Sequence, residues 1–68
     1  MKKIIYLIYS DSHGLEDVVT SIEKAKRLVE TISRNDYGLT KPEEIWDEDY
    51  INGNELCYYE EMEVDFDD

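Results

Sequence analysis

The sequence predicts an α+β fold, a small antiparallel-type sheet of about four strands with one helix on one face, in the order β-β-α-β-β. Three observations lead there: an apolar, Tyr-rich run at Lys3–Tyr9; apolar residues at helical spacing between Ser21 and Arg34; and two stretches of period two on either side of an Asn-Gly pair. Alternation with period two marks strands, and recurrence at three and four residues marks an amphipathic helix. At 68 residues the chain reads as a single small domain. Domains of this size bury only about 60% of the surface that their unfolded chains expose, so the core is expected to be thin.

The first strand is expected near residues 3–9. Its Ile, Tyr and Leu residues show no polar alternation, which suits a central strand, covered on both faces or flanked on both edges. Ser10–Gly14 is a cluster of turn formers, and a second strand near 15–19 ends in β-branched Val18 and Val19. Thr20-Ser21-Ile22-Glu23 reads as a capping box, with the Thr20 hydroxyl taking the Glu23 amide and the Glu23 carboxylate reaching back. The helix is expected over 21–34. Ile22, Ala25, Leu28, Val29 and Ile32 form its apolar stripe, and Glu23/Arg27 and Glu30/Arg34 form Glu-before-Arg pairs four residues apart.

After a loop holding Pro42, the last element is expected to be a hairpin over 45–65. Asn52-Gly53 is a strong turn signal in sequence. A two-residue turn there mixes acids and apolar groups on both faces. A three-residue loop, Asn52–Asn54, separates them: Trp46, Tyr50, Leu56, Tyr58 and Met62 on one face, and Asp47, Asp49, Glu55, Cys57, Tyr59, Glu61 and Glu63 on the other. The second register is preferred, because a one-residue slip exchanges the faces and only this register lets one face pack under the helix. Residues 66–68 read as a frayed acidic tail.

Charge is distributed unevenly along the chain. Residues 1–41 hold seven basic and six acidic residues, a net of +1, whereas residues 42–68 hold twelve acids and no Lys or Arg. The total of -11 repels nucleic acid and anionic membrane alike, and a basic surface is the natural partner. The single cysteine, Cys57, cannot form an internal disulfide. The apolar run at Ile4–Ile8 is far shorter than the ~20 residues that span a bilayer, and nothing at the N-terminus reads as a signal peptide. The expected location is a reducing cytoplasm, that of a bacterial host if the protein is phage-encoded.

Asp11-Ser12-His13-Gly14, at the end of the first strand, resembles the opening Asp-x-His motif of the calcineurin-like metallophosphoesterases, which implies Asp11 and His13 as ligands of a two-metal site. The resemblance covers about a dozen residues. Two divalent ions need many donors, and this chain has no second histidine, no Gly-Asp pair and no Gly-Asn-His-Glu. The alternative is a polar turn in which Gly14 supplies an unusual backbone angle. A calcium loop starting at Glu48 places Gly53 sixth but Tyr50 third and Tyr59 twelfth, so it fails at two ligand positions. Cys57 with His13 is a formal nucleophile and base, yet a lone strand cysteine is ordinarily a small packing residue. The expectation is that the chain is not an enzyme, with no catalytic residue, no metal ligand and no cofactor.

Partner binding is therefore expected through Asp47, Asp49, Glu55, Tyr59, Glu61 and Glu63, with Tyr59 as anchor and Tyr50 and Trp46 in the core. Carboxylates on paired strands repel one another, so stability alone would favour interspersed Lys. Ile4-Ile5-Tyr6-Leu7-Ile8-Tyr9 followed by Ser21-Ile22-Glu23-Lys24-Ala25-Lys26 resembles small uncharacterised phage and mobile-element proteins, which often pair a Tyr-rich first strand with a capped Glu-Lys-Ala helix. The acidic second half is similar in character to phage anti-defence proteins of the anti-CRISPR and anti-restriction kind that mimic DNA or RNA. That similarity implies an inhibitor lodged on the basic nucleic-acid-binding surface of a host defence nuclease or effector complex, without direct contact to nucleic acid or membrane. The alternative is a small assembly protein that self-associates, as a homodimer for example, through a sheet edge such as Leu15–Val19, its acidity serving solubility.

Overall fold

The computed structural model describes residues 1–65, so the acidic tail expected at 66–68 lies outside the described residues. Strands β1 (Lys2–Ser10) and β2 (Gly14–Val19) precede the long helix α1 (Ile22–Tyr37), the single-turn helix α2 (Pro42–Ile45) and strand β3 (Cys57–Asp65). The described residues form a three-stranded sheet in the order β2-β1-β3, antiparallel throughout, one strand fewer than expected. None of their helices is long and apolar enough to cross a membrane.

β1 takes the centre, hydrogen-bonded on both edges, and its apolar run Ile4–Tyr9 supplies apolar side chains to both faces of the sheet. Its two faces differ in cover. Tyr6 and Ile8 are buried with Ala25 and Val29 of α1, Ile45 of α2, and Cys57 and Tyr59 of β3, and these seven residues make the core. Ile5, Leu7 and Tyr9 point the other way and stay half-buried, sharing their face with Met62, Val18, Leu15 and Tyr58. Tyr9 and Tyr58 stack there at 5.4 Å. The ladder from β1 to β2 shifts between Ile8 and Tyr9: Leu15 faces Tyr9 and Asp17 faces Ile8, which makes Glu16 the extra residue of a bulge.

α1 starts one residue later than the Thr20 capping box requires. Ser21 is the N-cap, its Oγ accepting from the Lys24 amide at 3.4 Å, and Glu23 takes a hydrogen bond from the Ser21 hydroxyl at 3.0 Å. Both hydroxyl residues can cap, and with β2 ending at Val19 the chain turns at Ser21. The carboxyl of Glu23 is held below its ordinary range by its backbone hydrogen bond first, then by Ser21. The helix runs three residues past Arg34, to where Gly38, at φ 68°, adopts the left-handed conformation that closes it and returns its amide to the Ser33 carbonyl. Ala25, Val29 and Ser33, spaced four apart, are its buried line, while Ile22 at the mouth of the expected stripe is exposed. Glu30 and Arg34 pair at 3.3 Å as expected. Glu23 turns back to Ser21 at the cap.

The hairpin expected over 45–65 does not form. Pro42 starts α2, consistent with the preference of proline for the first helical position, and Glu44 accepts from the Lys41 amide at 3.1 Å. Residues 46–56 are turns and bends with an isolated bridge from Gly53 to Tyr58. Asp47 explains the first turn. Its carboxylate accepts from the Asp49 amide at 3.0 Å and its carbonyl from the Tyr50 amide at 3.0 Å, a local arrangement that competes with an extended ladder. The reversal into β3 is centred on Asn54–Cys57: the Asn54 amide donates to the Cys57 carbonyl at 2.8 Å, and Asn54 Oδ1 accepts from the amides of Leu56 and Cys57. Asn52 and Gly53, with φ of 63° and 153°, lead into that turn. β3 then pairs along its whole length with β1, Lys2 opposite Asp65 through Ser10 opposite Cys57.

Candidate protein-binding surface

The residues expected to form one cross-strand acidic face are divided between two kinds of structure. Asp47 and Asp49 sit in the turn after α2, and Glu55 lies at the tip of the reversal into β3. Glu61 and Glu63 are exposed on β3, opposite Tyr6 and Ile4. Tyr59 is 6% exposed and packs edge-on against Tyr6 at 5.8 Å, so the expected anchor is a core residue. Burial raises its phenol, with Tyr6 and Glu61 adding to the rise. The exposed aromatics of this region are Tyr50 and Tyr58, and Trp46 is half-buried at the edge of the core. Tyr50, expected in the core, is outside it because the turn at Asp47 swings residues 48–51 away from the sheet.

The acids still share one flank. Residues 42–65 carry ten acidic residues and no Lys or Arg, and they build α2, the turns and the outer strand β3. Glu44, Asp47 and Glu55 line one surface depression, and Asp49 and Glu55 line the next, together with Tyr50, Ile51 and Tyr58. Glu60, Glu61, Glu63 and Asp65 continue the charge along β3. At its far end Lys2 reaches Glu63 at 3.3 Å and the N-terminal ammonium reaches Asp65 at 3.4 Å. These pairs are mostly exposed, and such pairs contribute little.

Asp11-Ser12-His13-Gly14 forms the β1–β2 turn. Gly14 has φ 70°, the Asp11 amide donates to the Leu56 carbonyl at 2.8 Å, and the His13 amide donates to Ser10 Oγ. Tyr37, from the last turn of α1, accepts from the Ser12 amide at 2.8 Å and donates to the Ser12 hydroxyl at 2.9 Å. That hydroxyl, the largest influence, holds the Tyr37 phenol below its ordinary range. Asp11 is not in the group of candidate ligands that forms around His13 among the described residues. The bulge instead turns Glu16 toward His13, 3.3 Å from Nδ1, and Asp36 completes a group whose donor atoms all lie within 4.8 Å of one another. One nitrogen and two carboxylate oxygens suit a borderline divalent ion, and among the described residues this is the group placed to hold one. Sequence reasoning missed it because Asp36 arrives from the helix C-terminus.

Cys57 is fully buried, which fits its packing role. Burial pushes its thiol from 9.0 up to about 11; the Ser33 hydrogen bond pulls the other way, and the charges of Glu16 and Asp36 add to the rise. Between about pH 9 and about pH 11 the folded chain therefore holds a proton that the unfolded chain releases. The contribution of Cys57 to stability is complete below about pH 9 and is lost as pH rises toward 11. Replacing Cys57 with Ala should flatten that part of the pH dependence in urea titrations. The native thiol should resist iodoacetamide near neutral pH and react once the chain is unfolded. Compared with known proteins, the chain matches no family model, no curated protein and no solved structure.

Proposed function

We propose that this chain is a non-enzymatic binding protein that occupies the basic, nucleic-acid-binding surface of another protein through its acidic flank, as an inhibitor of the phage anti-defence kind. The observation that carries the reading is the concentration of ten acids, without a Lys or Arg, in the stretch that forms α2, the turns and β3. Such crowding costs self-repulsion on folding, and a basic groove that follows a phosphate backbone would relieve it. Binding of this type releases counterions and is steeply salt-dependent.

The test is capture from a bacterial lysate on the immobilised chain. A nucleic-acid-binding protein should be retained at low salt, released at high salt and displaced by DNA or RNA. Asp49→Lys combined with Glu61→Lys should abolish capture while leaving the melting temperature unchanged or higher, because both side chains are exposed and sit among like charges. Unchanged capture by the double variant would remove the basis of the reading.

A second reading, self-association, is favoured by one feature. Leu15, Val18 and Met62 are each about half exposed on the sheet face opposite α1, and β2 is an edge strand. Sedimentation should then show a dimer that Met62→Lys converts to monomer. A monomeric parent chain would dispose of this alternative.

A further inference from the structure

Between α1, the turn after α2, and β3 lies a cleft of about 560 Å³, within the range of small-ligand sites. Three aromatic residues contribute to its lining, Trp46, Tyr50 and Tyr59, together with Glu30, Asp47 and Lys26. Trp46, Asp47 and Tyr50 come from the turn after α2, Tyr59 from β3, and Lys26 and Glu30 from α1, so the combination is a product of the tertiary structure. Aromatic faces carry negative quadrupole density and attract a desolvated cation, and a carboxylate at the same site adds a charged acceptor. An anion would meet two acidic residues against the single charge of Lys26. A neutral apolar ligand would leave those carboxylates desolvated without a partner.

We propose that this cleft receives a cationic side chain, an arginine guanidinium presented by the partner of the acidic flank. The proposal rests on the binding reading above and names the anchor contact that Tyr59, as a core residue, does not supply alone. A guanidinium fits better than an ammonium. It is planar, stacks on aromatic rings, is weakly hydrated and meets a carboxylate with two parallel donors. Within the cleft Asp47 is the principal acceptor, because Glu30 is already engaged by Arg34 at 3.3 Å. Asp47 is held in orientation by the Asp49 amide, which donates to its Oδ1 at 3.0 Å. Lys26 opposes binding, since its charge offsets one of the two carboxylates.

Trp46 is the one tryptophan of the chain, so its emission reports on the cleft directly. The experiment titrates the full chain with a blocked Gly-Arg-Gly tripeptide and with its citrulline isostere, which has the same shape and no charge. The arginine peptide should give a saturable change in Trp46 emission with a dissociation constant of about millimolar order, as suits a single side chain. Citrulline, and separately Asp47→Asn, should weaken it by about fivefold, and Lys26→Gln should tighten it by about threefold. Asp47→Asn also disturbs the turn, whereas Lys26 is exposed on α1, so the Lys26 variant tests the charge argument without touching the fold. Equal binding of the two peptides, no saturable change, or no tightening in Lys26→Gln overturns the assignment. The two readings fail separately. Salt-sensitive capture without tripeptide binding removes the cleft and leaves the flank; tripeptide binding with capture indifferent to Asp49→Lys and Glu61→Lys supports the cleft and removes the flank.

Discussion

Gly53→Ala should remove about 3 kcal/mol or more of stability, and in a chain this small that approaches unfolding. A Cβ at Gly53 would overlap the Cys57 carbonyl oxygen and lie 2.7 Å from Tyr58 Cα and 2.9 Å from Tyr58 Cβ. Two of these three neighbours are backbone atoms that the Gly53–Tyr58 bridge holds in place, so a rotamer change cannot relieve the clash. The φ of 153° adds strain for any L residue. Native domains are stable by about 0.05–0.15 kcal/mol per residue, so the expected loss is a large fraction of the whole. Gly14→Ala provides the comparison. Its φ is 70° but its Cβ would meet nothing within 4 Å, so the cost should be about 1 kcal/mol, from backbone strain alone. Urea denaturation of both variants measures the difference, and near-equal midpoints would mean that the close approach at Gly53 is absent.

Asn54→Ala should cost about 2–4 kcal/mol, because the side chain is 4% exposed and makes four hydrogen bonds that nothing nearby can replace. Nδ2 donates to Ser33 Oγ at 3.1 Å and to the Ile45 carbonyl at 3.0 Å, joining α1 to α2. Oδ1 accepts from the amides of Leu56 and Cys57 at 2.8 and 3.0 Å and so shapes the turn into β3. Truncation leaves a buried carbonyl and two amides without partners and loosens Ser33, which itself bonds the Cys57 thiol. Asn54→Asp separates the two halves of this role. It keeps the acceptor for Leu56 and Cys57 but sets a buried carboxylate against the Ile45 carbonyl. The Asp variant should be at least as unstable as Ala near neutral pH and should recover as acid protonates the carboxyl. Denaturant titrations at two pH values, with exchange rates of the Leu56 and Cys57 amides, provide the measurement. Wild-type-like stability in both variants would show that Asn54 does not organise the turn.

These two residues also mark where reading the sequence stopped. β1, β2 and α1 were legible because their signals are local: an apolar run, β-branched residues after a turn, and a stripe of period 3.6 beside a hydroxyl cap. The cap was displaced by one residue because Thr20 and Ser21 are equally competent and the end of β2 chose between them. Asn52-Gly53 is the local turn signal. The sequence favours a three-residue loop over Asn52–Asn54, yet the reversal centres on Asn54–Cys57, where Asn54 finds buried hydrogen bonds to Ser33 and Ile45, 21 and 9 residues away.

The acidic second half shows the same division. Its net charge, and the confinement of that charge to residues 42–68, follow from composition and need no fold. Which acids share a surface depends on strand pairing, and pairing was decided by competition. Residues 45–51 offered a carboxylate, Asp47, that closes a local turn, whereas β1 offered β3 a nine-pair ladder built on the apolar run Ile4–Tyr9. The core position of Tyr59 and the cleft between Lys26, Trp46 and Asp47 came from that choice, and the grouping of His13 with Glu16 and Asp36 from the β1–β2 bulge and the end of α1. By itself the sequence determined the helix, the first two strands and the charge asymmetry, since each depends on neighbours within a few residues. The tertiary structure decided the partner of β3 and the composition of every surface site, because those depend on which distant segments bury apolar area and satisfy hydrogen bonds together.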